Sequence, residues 1–243
     1  ATAGSVTTGA VDSLADIAAV ARQHGLWMHV DACYGGFARL APSVRALFDG
    51  LDDADTIALD PHKWLYLPAD CGCLIYRDPA ASRGAFALDA DYTRIVQTDP
   101  AEAFAFWDYG LELSRPFRAL KVWMTMAHVG AQGIAQAIES NLDCARYVAE
   151  LVESSDDFEM LAPVELSIFC FRYLPPGAKG RAARSATDEA QLNKLNERIL
   201  AALQRAGSSY VSNTSINGRF ALRGCVLNYR TTREDMQTLL DDV

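Results

Sequence analysis

The sequence predicts an α/β fold, and three observations carry that prediction. Short apolar stretches read as strands at 26–31 (LWMHVD), 56–60 (TIALD) and 73–77 (CLIYR). Helical and loop signals alternate with them, the pattern of helices laid against a mostly parallel sheet. The second half changes character, with strand and helix signals grouped as in a small α+β domain. Half of the 243 residues are apolar and 22% are charged. That is the profile of a globular protein with core enough for one or two domains.

Taken in order, Asp12 is positioned to cap a helix with Leu14, Ile17, Ala18 and Ala21 on one face, closed by Gly25. Pro42 and Ser43 open a short helix that ends near Gly50. Residues 78–110 have no clear periodicity, and a structureless loop of about 30 residues usually serves as a lid or a binding loop. From Pro116 a long helical region runs to about Ser154, interrupted around Gly130–Gly133. Strands follow at 158–162 and 166–173, then the loop PPGAKGRAARSATD. A helix near 188–206 aligns Leu192, Leu195, Ile199 and Leu203. Strands near 209–212 and 219–229 and a short helix complete the chain. The expected division is 1–125 and 126–243.

With 31 acidic and 22 basic side chains the net charge is −9, which argues against nucleic acid and anionic membranes as partners. A local basic pocket for one phosphate stays open. No run of about 18 apolar residues occurs, and the N-terminus has no signal-peptide pattern. The six cysteines (33, 71, 73, 144, 170, 225) form no paired CxxC set. Reduced core cysteines are the simpler reading, and they favour the cytoplasm. The four histidines show no ligand spacing, so no metal site is expected. The opening ATAGSVTTGAVD has no initiator Met and reads as a strand cut into, the mark of a fragment or split chain.

Two residues stand out chemically. Asp31 ends a strand whose alternation puts Trp27, His29 and Asp31 on one face, where an acid is costly without a positive partner. Gly35 and Gly36 follow, permitting close approach of a backbone or a flat ligand. Lys63, in DPHKW, lies at the end of the expected parallel neighbour, and ligands of open α/β sheets gather at such carboxyl ends. An acid and a lysine so placed fit a cofactor with a basic ring nitrogen and an aldehyde, which describes pyridoxal phosphate. The pair alone does not establish this, because a helix cap or loop hydrogen bond explains an aspartate and lysines at strand ends are common.

The blocks HVDACYGG and DPHKW, in that order, resemble the group II pyridoxal-phosphate-dependent amino acid decarboxylases, the family of aromatic-L-amino-acid decarboxylase. The resemblance continues through GAFALDADY (84–92), FRALKVW (117–123), LSIFCFRY (166–173) and RFALRGCVLNYRTT (219–232). It implies a fold-type I architecture, with the C-terminal part of a cofactor-binding large domain in 1–125 and a small α+β domain in 126–243. It also implies the C-terminal half of a chain roughly twice as long.

By that resemblance Lys63 holds pyridoxal 5'-phosphate as a Schiff base, Asp31 faces the pyridine nitrogen and His62 attends the phosphate end. Ser5 matches a cofactor-side serine or threonine. Cys33 occupies a position usually held by alanine against the ring face. Asp60 stands where some members have an asparagine contacting the phosphate; an acid there is repelled, so Asp60 is expected to point elsewhere. Tyr92 falls in a lid that closes over the neighbouring subunit's site and returns a proton to the substrate carbon. Related enzymes that oxidatively deaminate carry phenylalanine there.

The implied function is decarboxylation of an L-amino acid, aromatic by preference, to an amine and CO2 by a cytoplasmic homodimer with shared active sites. A glutamate or diamino-acid decarboxylase, a truncated non-catalytic chain, and an aminotransferase or other lyase on the same fold are the alternatives. Trp64 and Tyr66 read equally as pocket or core, Arg115 and Arg118 as structural, and KGRAAR (179–184) as a solvated loop.

Overall fold

The computed structural model of the chain describes residues 1–87, 105–180 and 185–243. Helix α1 (Leu14–His24) buries Leu14, Ala18 and Ala21 and ends at Gly25, whose φ of 61° lies in the left-handed region. Its N-cap is Ser13 rather than the expected Asp12. The Asp12 carboxylate instead accepts the Thr2 backbone N–H at 2.7 Å, tying the first residues of the chain to the helix start.

Strand β1 (His29–Asp31) is shorter than the apolar run predicted, because Leu26 and Trp27 stay exposed before the ladder begins. The expected alternation holds: Met28 and Val30 are buried, while Trp27, His29 and Asp31 face outward. β1 pairs in parallel with β2 (Thr56–Leu59), Asp31 lying opposite Ala58. A parallel bridge from Thr2 to Asp31 extends the sheet on the other side of β1. β3 (Cys73–Tyr76) then pairs antiparallel with β2, so the expectation of a mostly parallel sheet fails at this strand. The reason is local: residues 60–72 form a turn and irregular loop with no helix, and without a crossover helix the chain returns in the opposite direction. The segment expected as a helix from Pro42 forms only single 3₁₀ turns at Arg45–Phe48 and Leu51–Asp53.

Past β3, a short helix α2 (Pro79–Phe86) is capped by the Asp78 carboxylate. Helix α3 (Arg118–Ser154) interrupts its helical geometry at Gly130, with φ 71° and ψ 164°, inside the expected break. Before the break its apolar residues Leu120, Trp123, Met124 and Val129 are exposed. After it, Ile134, Ile138 and Leu142 enter the core beneath the first sheet, and Ala145, Val148 and Val152 enter a second core. One helix thus belongs to both.

That second core lies against an antiparallel sheet of order β4-β5-β7-β6, formed by Phe158–Met160, Ile168–Tyr173, Arg219–Cys225 and Ser212–Ile216. Helices α4 (Ala186–Ala206) and α5 (Arg233–Asp242) complete it. Each begins with a reciprocal capping box, Ser185 with Asp188 and Thr232 with Asp235. Such caps contribute about 1 kcal/mol each. Arg172 on β5 is wholly buried and has carboxylates on both sides, Glu159 and Glu189, each at 2.7 Å. A buried guanidinium persists only with such pairing.

The polar hinge between the two cores is Asn141 of α3, which is fully buried. Its Oδ1 accepts hydrogen bonds from Trp64 Nε1 at 3.1 Å and Tyr66 OH at 2.9 Å, and its Nδ2 donates to the Asn228 carbonyl at 2.8 Å. Replacing it leaves the buried Trp64 donor and the half-buried Tyr66 hydroxyl unsatisfied, a buried donor so orphaned costing about 1–3 kcal/mol. Asn141→Leu is expected to destabilise the protein by about 3 kcal/mol in chemical denaturation. An unchanged midpoint contradicts this account of the network.

Candidate active site

The site is built by continuing the β1–β2 pairing beyond the strands themselves. Ala32 N–H donates to the Ala58 carbonyl at 3.0 Å, and Asp60 N–H donates to the Cys33 carbonyl at 3.2 Å. The two strand ends therefore leave the sheet side by side, one carrying Asp31 and Cys33, the other Asp60, His62 and Lys63. Pro61 is buried at the start of the turn, and Lys63 N–H closes it onto the Asp60 carbonyl at 2.8 Å. Carboxyl ends of parallel strands are where open α/β sheets place ligands.

The glycines after Asp31 admit protein rather than an open cradle. A Cβ on Gly35 would stand 2.3 Å from the Ala3 carbonyl oxygen, and one on Gly36 would stand 2.3 Å from Leu59 Cδ2. This close approach lets the 1–5 segment lie beside the Asp31 strand end. Ser5 turns its hydroxyl onto its own loop, accepting from Thr7 N–H at 3.3 Å.

Beneath the turn, Trp64 is fully buried and stacks on Tyr34 with ring centroids 5.1 Å apart. The Tyr34 hydroxyl meets Ser167 Oγ at 2.8 Å, and Ser167 Oγ donates to the Val226 carbonyl at 2.7 Å. Trp64 therefore serves as core, Tyr66 is half-buried against it, and Asn141 holds both. Tyr66 adopts φ 58°, an uncommon conformation for a residue with a side chain, fixed here by its bond to Asn141.

Charge is distributed to suit an anionic and a cationic role. Burial pushes the Asp31 carboxyl upward, but the Cys33 backbone N–H and thiol and the positive charges of Lys63 and His29 outweigh it. The carboxyl is held below its usual range, so Asp31 stays ionised at neutral pH. Its Oδ1 accepts Cys33 N–H at 3.1 Å. The Cys33 thiol is pushed up to about 12, first by burial, then by its hydrogen bond to Asp31 and the charges of Asp31 and Asp60. His62 Nδ1 lies 2.7 Å from the Cys71 carbonyl oxygen and 3.1 Å from the Cys71 nitrogen, which pins the ring. Lys63 Nζ is 2.9 Å from Asp60 Oδ2, and that same oxygen lies 3.9 Å from His62 Nε2.

Of the residues singled out in the sequence, Asp31, Cys33, His62 and Lys63 come together at these two strand ends. Ser5 lies two residues beyond Ala3, whose N–H donates to the Asp31 carbonyl at 2.8 Å. Tyr92 lies outside the described residues. Arg118 is structural, as expected, paired with Asp70 at 2.8 Å and Glu112 at 3.0 Å. Sequence reasoning missed Asp60 as the partner of Lys63, although its i,i+3 spacing across a tight turn was available as a signal. It also missed Asn141 and Cys71, for which the sequence carries no signal, since their partners are 75–87 and 9 residues away.

This is an α/β architecture with an amine, an ionised carboxylate and an imidazole converging at the ends of two parallel strands. Residues 1–174 match the pyridoxal-dependent decarboxylase conserved domain. The chain belongs to that family. It is 33% identical over 240 residues to an aromatic-L-amino-acid decarboxylase of Bacillus atrophaeus, covering 99% of this chain and 48% of the relative. It is 31% identical to a phenylacetaldehyde synthase of Petunia hybrida, over 92% of this chain and 44% of that one. Among solved structures, Oryza sativa TDC with PLP and tryptamine superposes with a TM-score of 0.89 at 32% identity, covering 99% of this chain and 48% of that chain. The chain spans about half the length of the curated relatives it matches. The donor set fits pyridoxal phosphate: an amine for its aldehyde and a carboxylate that stays ionised for its ring nitrogen.

Two outcomes follow from the electrostatics. Cys33 is expected to alkylate slowly near neutral pH despite its partial exposure, and faster in Asp31→Asn, as read by peptide mass spectrometry. Because the Asp31 carboxyl is lowered by folding, its stabilising contribution is complete above the ordinary carboxyl range and is lost as pH falls through the folded value. Asp31→Asn should therefore flatten the acid limb of a stability–pH curve, with little change in its slope above neutrality.

Proposed function

We propose that this chain forms the lysine-bearing part of an enzyme that decarboxylates L-amino acids, aromatic ones by preference, to the amine and CO2 with pyridoxal 5'-phosphate. The observation that carries the reading is the placement of Lys63 and ionised Asp31 at adjacent parallel strand ends. When bound, the cofactor supplies a conjugated ring that accepts the electron pair left as CO2 departs. Lys63 would hold it through its amine, the group that also frees the product at the end of turnover. Asp31 keeps a proton at the ring nitrogen, its own charge secured by Cys33. His62, pinned by Cys71, attends the phosphate end, and Cys33 and Ser5 border the cofactor. Tyr92 returns a proton to the substrate carbon.

In this reading the large domain of a fold-type I enzyme ends near residue 125 and a small domain follows it. The enzyme acts in the cytoplasm as a homodimer with shared active sites. Among the described residues, no helix is long and apolar enough to cross a membrane. The aromatic preference is supported by the aromatic-L-amino-acid decarboxylase relative and by the tryptamine-bound structure. A second reading, decarboxylation with oxidative deamination, is raised by the likeness to a phenylacetaldehyde synthase. The tyrosine at position 92 favours simple decarboxylation.

The test uses the intact protein with added cofactor. An absorbance band of Lys63-bound cofactor should appear and be lost in Lys63→Ala; its absence from the unmodified protein sinks the cofactor assignment. CO2 release across a panel of aromatic, acidic and diamino acids then identifies the substrate, and no release from any of them favours a non-catalytic role. Asp31→Ala is expected to lower turnover by about 100-fold or more, with the band retained. Tyr92→Phe should lower amine yield and raise ammonia release.

A further inference from the structure

Asp60 occupies the position where the family resemblance placed a neutral contact to phosphate, and the structure gives it a different task. Its backbone N–H is fixed to the Cys33 carbonyl and its own carbonyl accepts Lys63 N–H. Those two bonds fix the Asp60 backbone in the turn. From there Oδ2 reaches Lys63 Nζ at 2.9 Å, with the lysine side chain 36% and the aspartate 20% exposed. A pair this sheltered is screened less than one at the surface. Among the described residues, the Asp31 carboxylate on β1, the Cys33 thiol after it and the Cys225 thiol on β7 also interact electrostatically with Lys63. Asp60 is the described carboxylate in direct ion-pair contact with the amine.

We propose that Asp60 is a positioning residue that holds the Lys63 ammonium in the turn and so sets how fast the amine becomes available to an aldehyde. To bond, the ammonium must leave Oδ2 and give one proton to solvent. The amine nitrogen then joins the aldehyde carbon, and the carbonyl oxygen departs as water with the two remaining amine hydrogens. Asp60 slows the first of these events and keeps the amine directed along the turn until it occurs. The inference rests on the reading that Lys63 bonds an aldehyde cofactor, and it deepens that reading by naming the group that governs the lysine.

The experiment measures labelling of Lys63 in the intact apoprotein by two aldehydes, pyridoxal and pyridoxal 5'-phosphate, each trapped by borohydride and read by peptide mass spectrometry. Asp60→Asn is nearly isosteric and keeps both backbone bonds; circular dichroism confirms that it folds. Its Lys63 should label about fivefold faster with both aldehydes, the loss of one partly sheltered pair. Asp60→Glu, which retains the charge, should label close to the unmodified rate. If Asp60→Asn does not fold, Asp60→Ser removes the same carboxylate with a smaller side chain. An unchanged or slower rate with pyridoxal overturns the proposal. A gain confined to the phosphate-bearing aldehyde also overturns it, assigning Asp60 to phosphate repulsion instead. If Lys63 of the unmodified protein labels with neither aldehyde, the cofactor reading itself fails and the inference falls with it.

Discussion

The parallel pairing of β1 with β2 is the constraint on which the site depends. Two further backbone hydrogen bonds carry that pairing past the strands, to Ala58 and to Cys33. In a parallel ladder both chains leave at the same end, so the residues that follow each strand are neighbours without further design. Asp31 and Lys63, 32 positions apart in the chain, are thereby placed within electrostatic reach. An antiparallel return, of the kind β3 makes, would have sent the second group to the opposite edge.

What keeps the lysine turn rigid lies below it. Trp64 is buried whole, Tyr34 stacks against it, and Asn141 binds both Trp64 and Tyr66 while gripping the Asn228 carbonyl. Orphaned donors in this place would each be costly, so the network stands or falls together. It also joins the lysine turn to the antiparallel half of the molecule, because α3 contributes to both cores. The residue that follows Lys63 is thus a structural anchor, and its position explains why a cation can stand beside so apolar a segment.

Much of this architecture was legible in the sequence, for identifiable reasons. Helix α1, its closing glycine, the break in α3 at Gly130 and the strands expected at 166–173 and 219–229 follow from local periodicity and backbone sterics, whereas the strand expected near 209–212 forms instead at Ser212–Ile216. The failures were also local. Asp12 has the chemistry of a cap but is drawn away by Thr2, and residues 42–53 tighten into 3₁₀ turns. The direction of β3 depends on what the 60–72 segment does in three dimensions, which apolar patterning does not encode.

The sequence by itself determined the types of chemical group: a lysine and an aspartate after buried runs, a histidine beside the lysine, and a family pattern linking them. Those are properties of residue identity and spacing. Tertiary structure decided which groups meet and in what charge state. It turned Asp60 onto Lys63, gave Asp31 two hydrogen bonds from Cys33, used Gly35 to admit the Ala3 backbone, and buried Trp64 against Tyr34. The physical reason is that ion pairs and desolvation act over a few ångströms of space, and separation along the chain does not determine that distance.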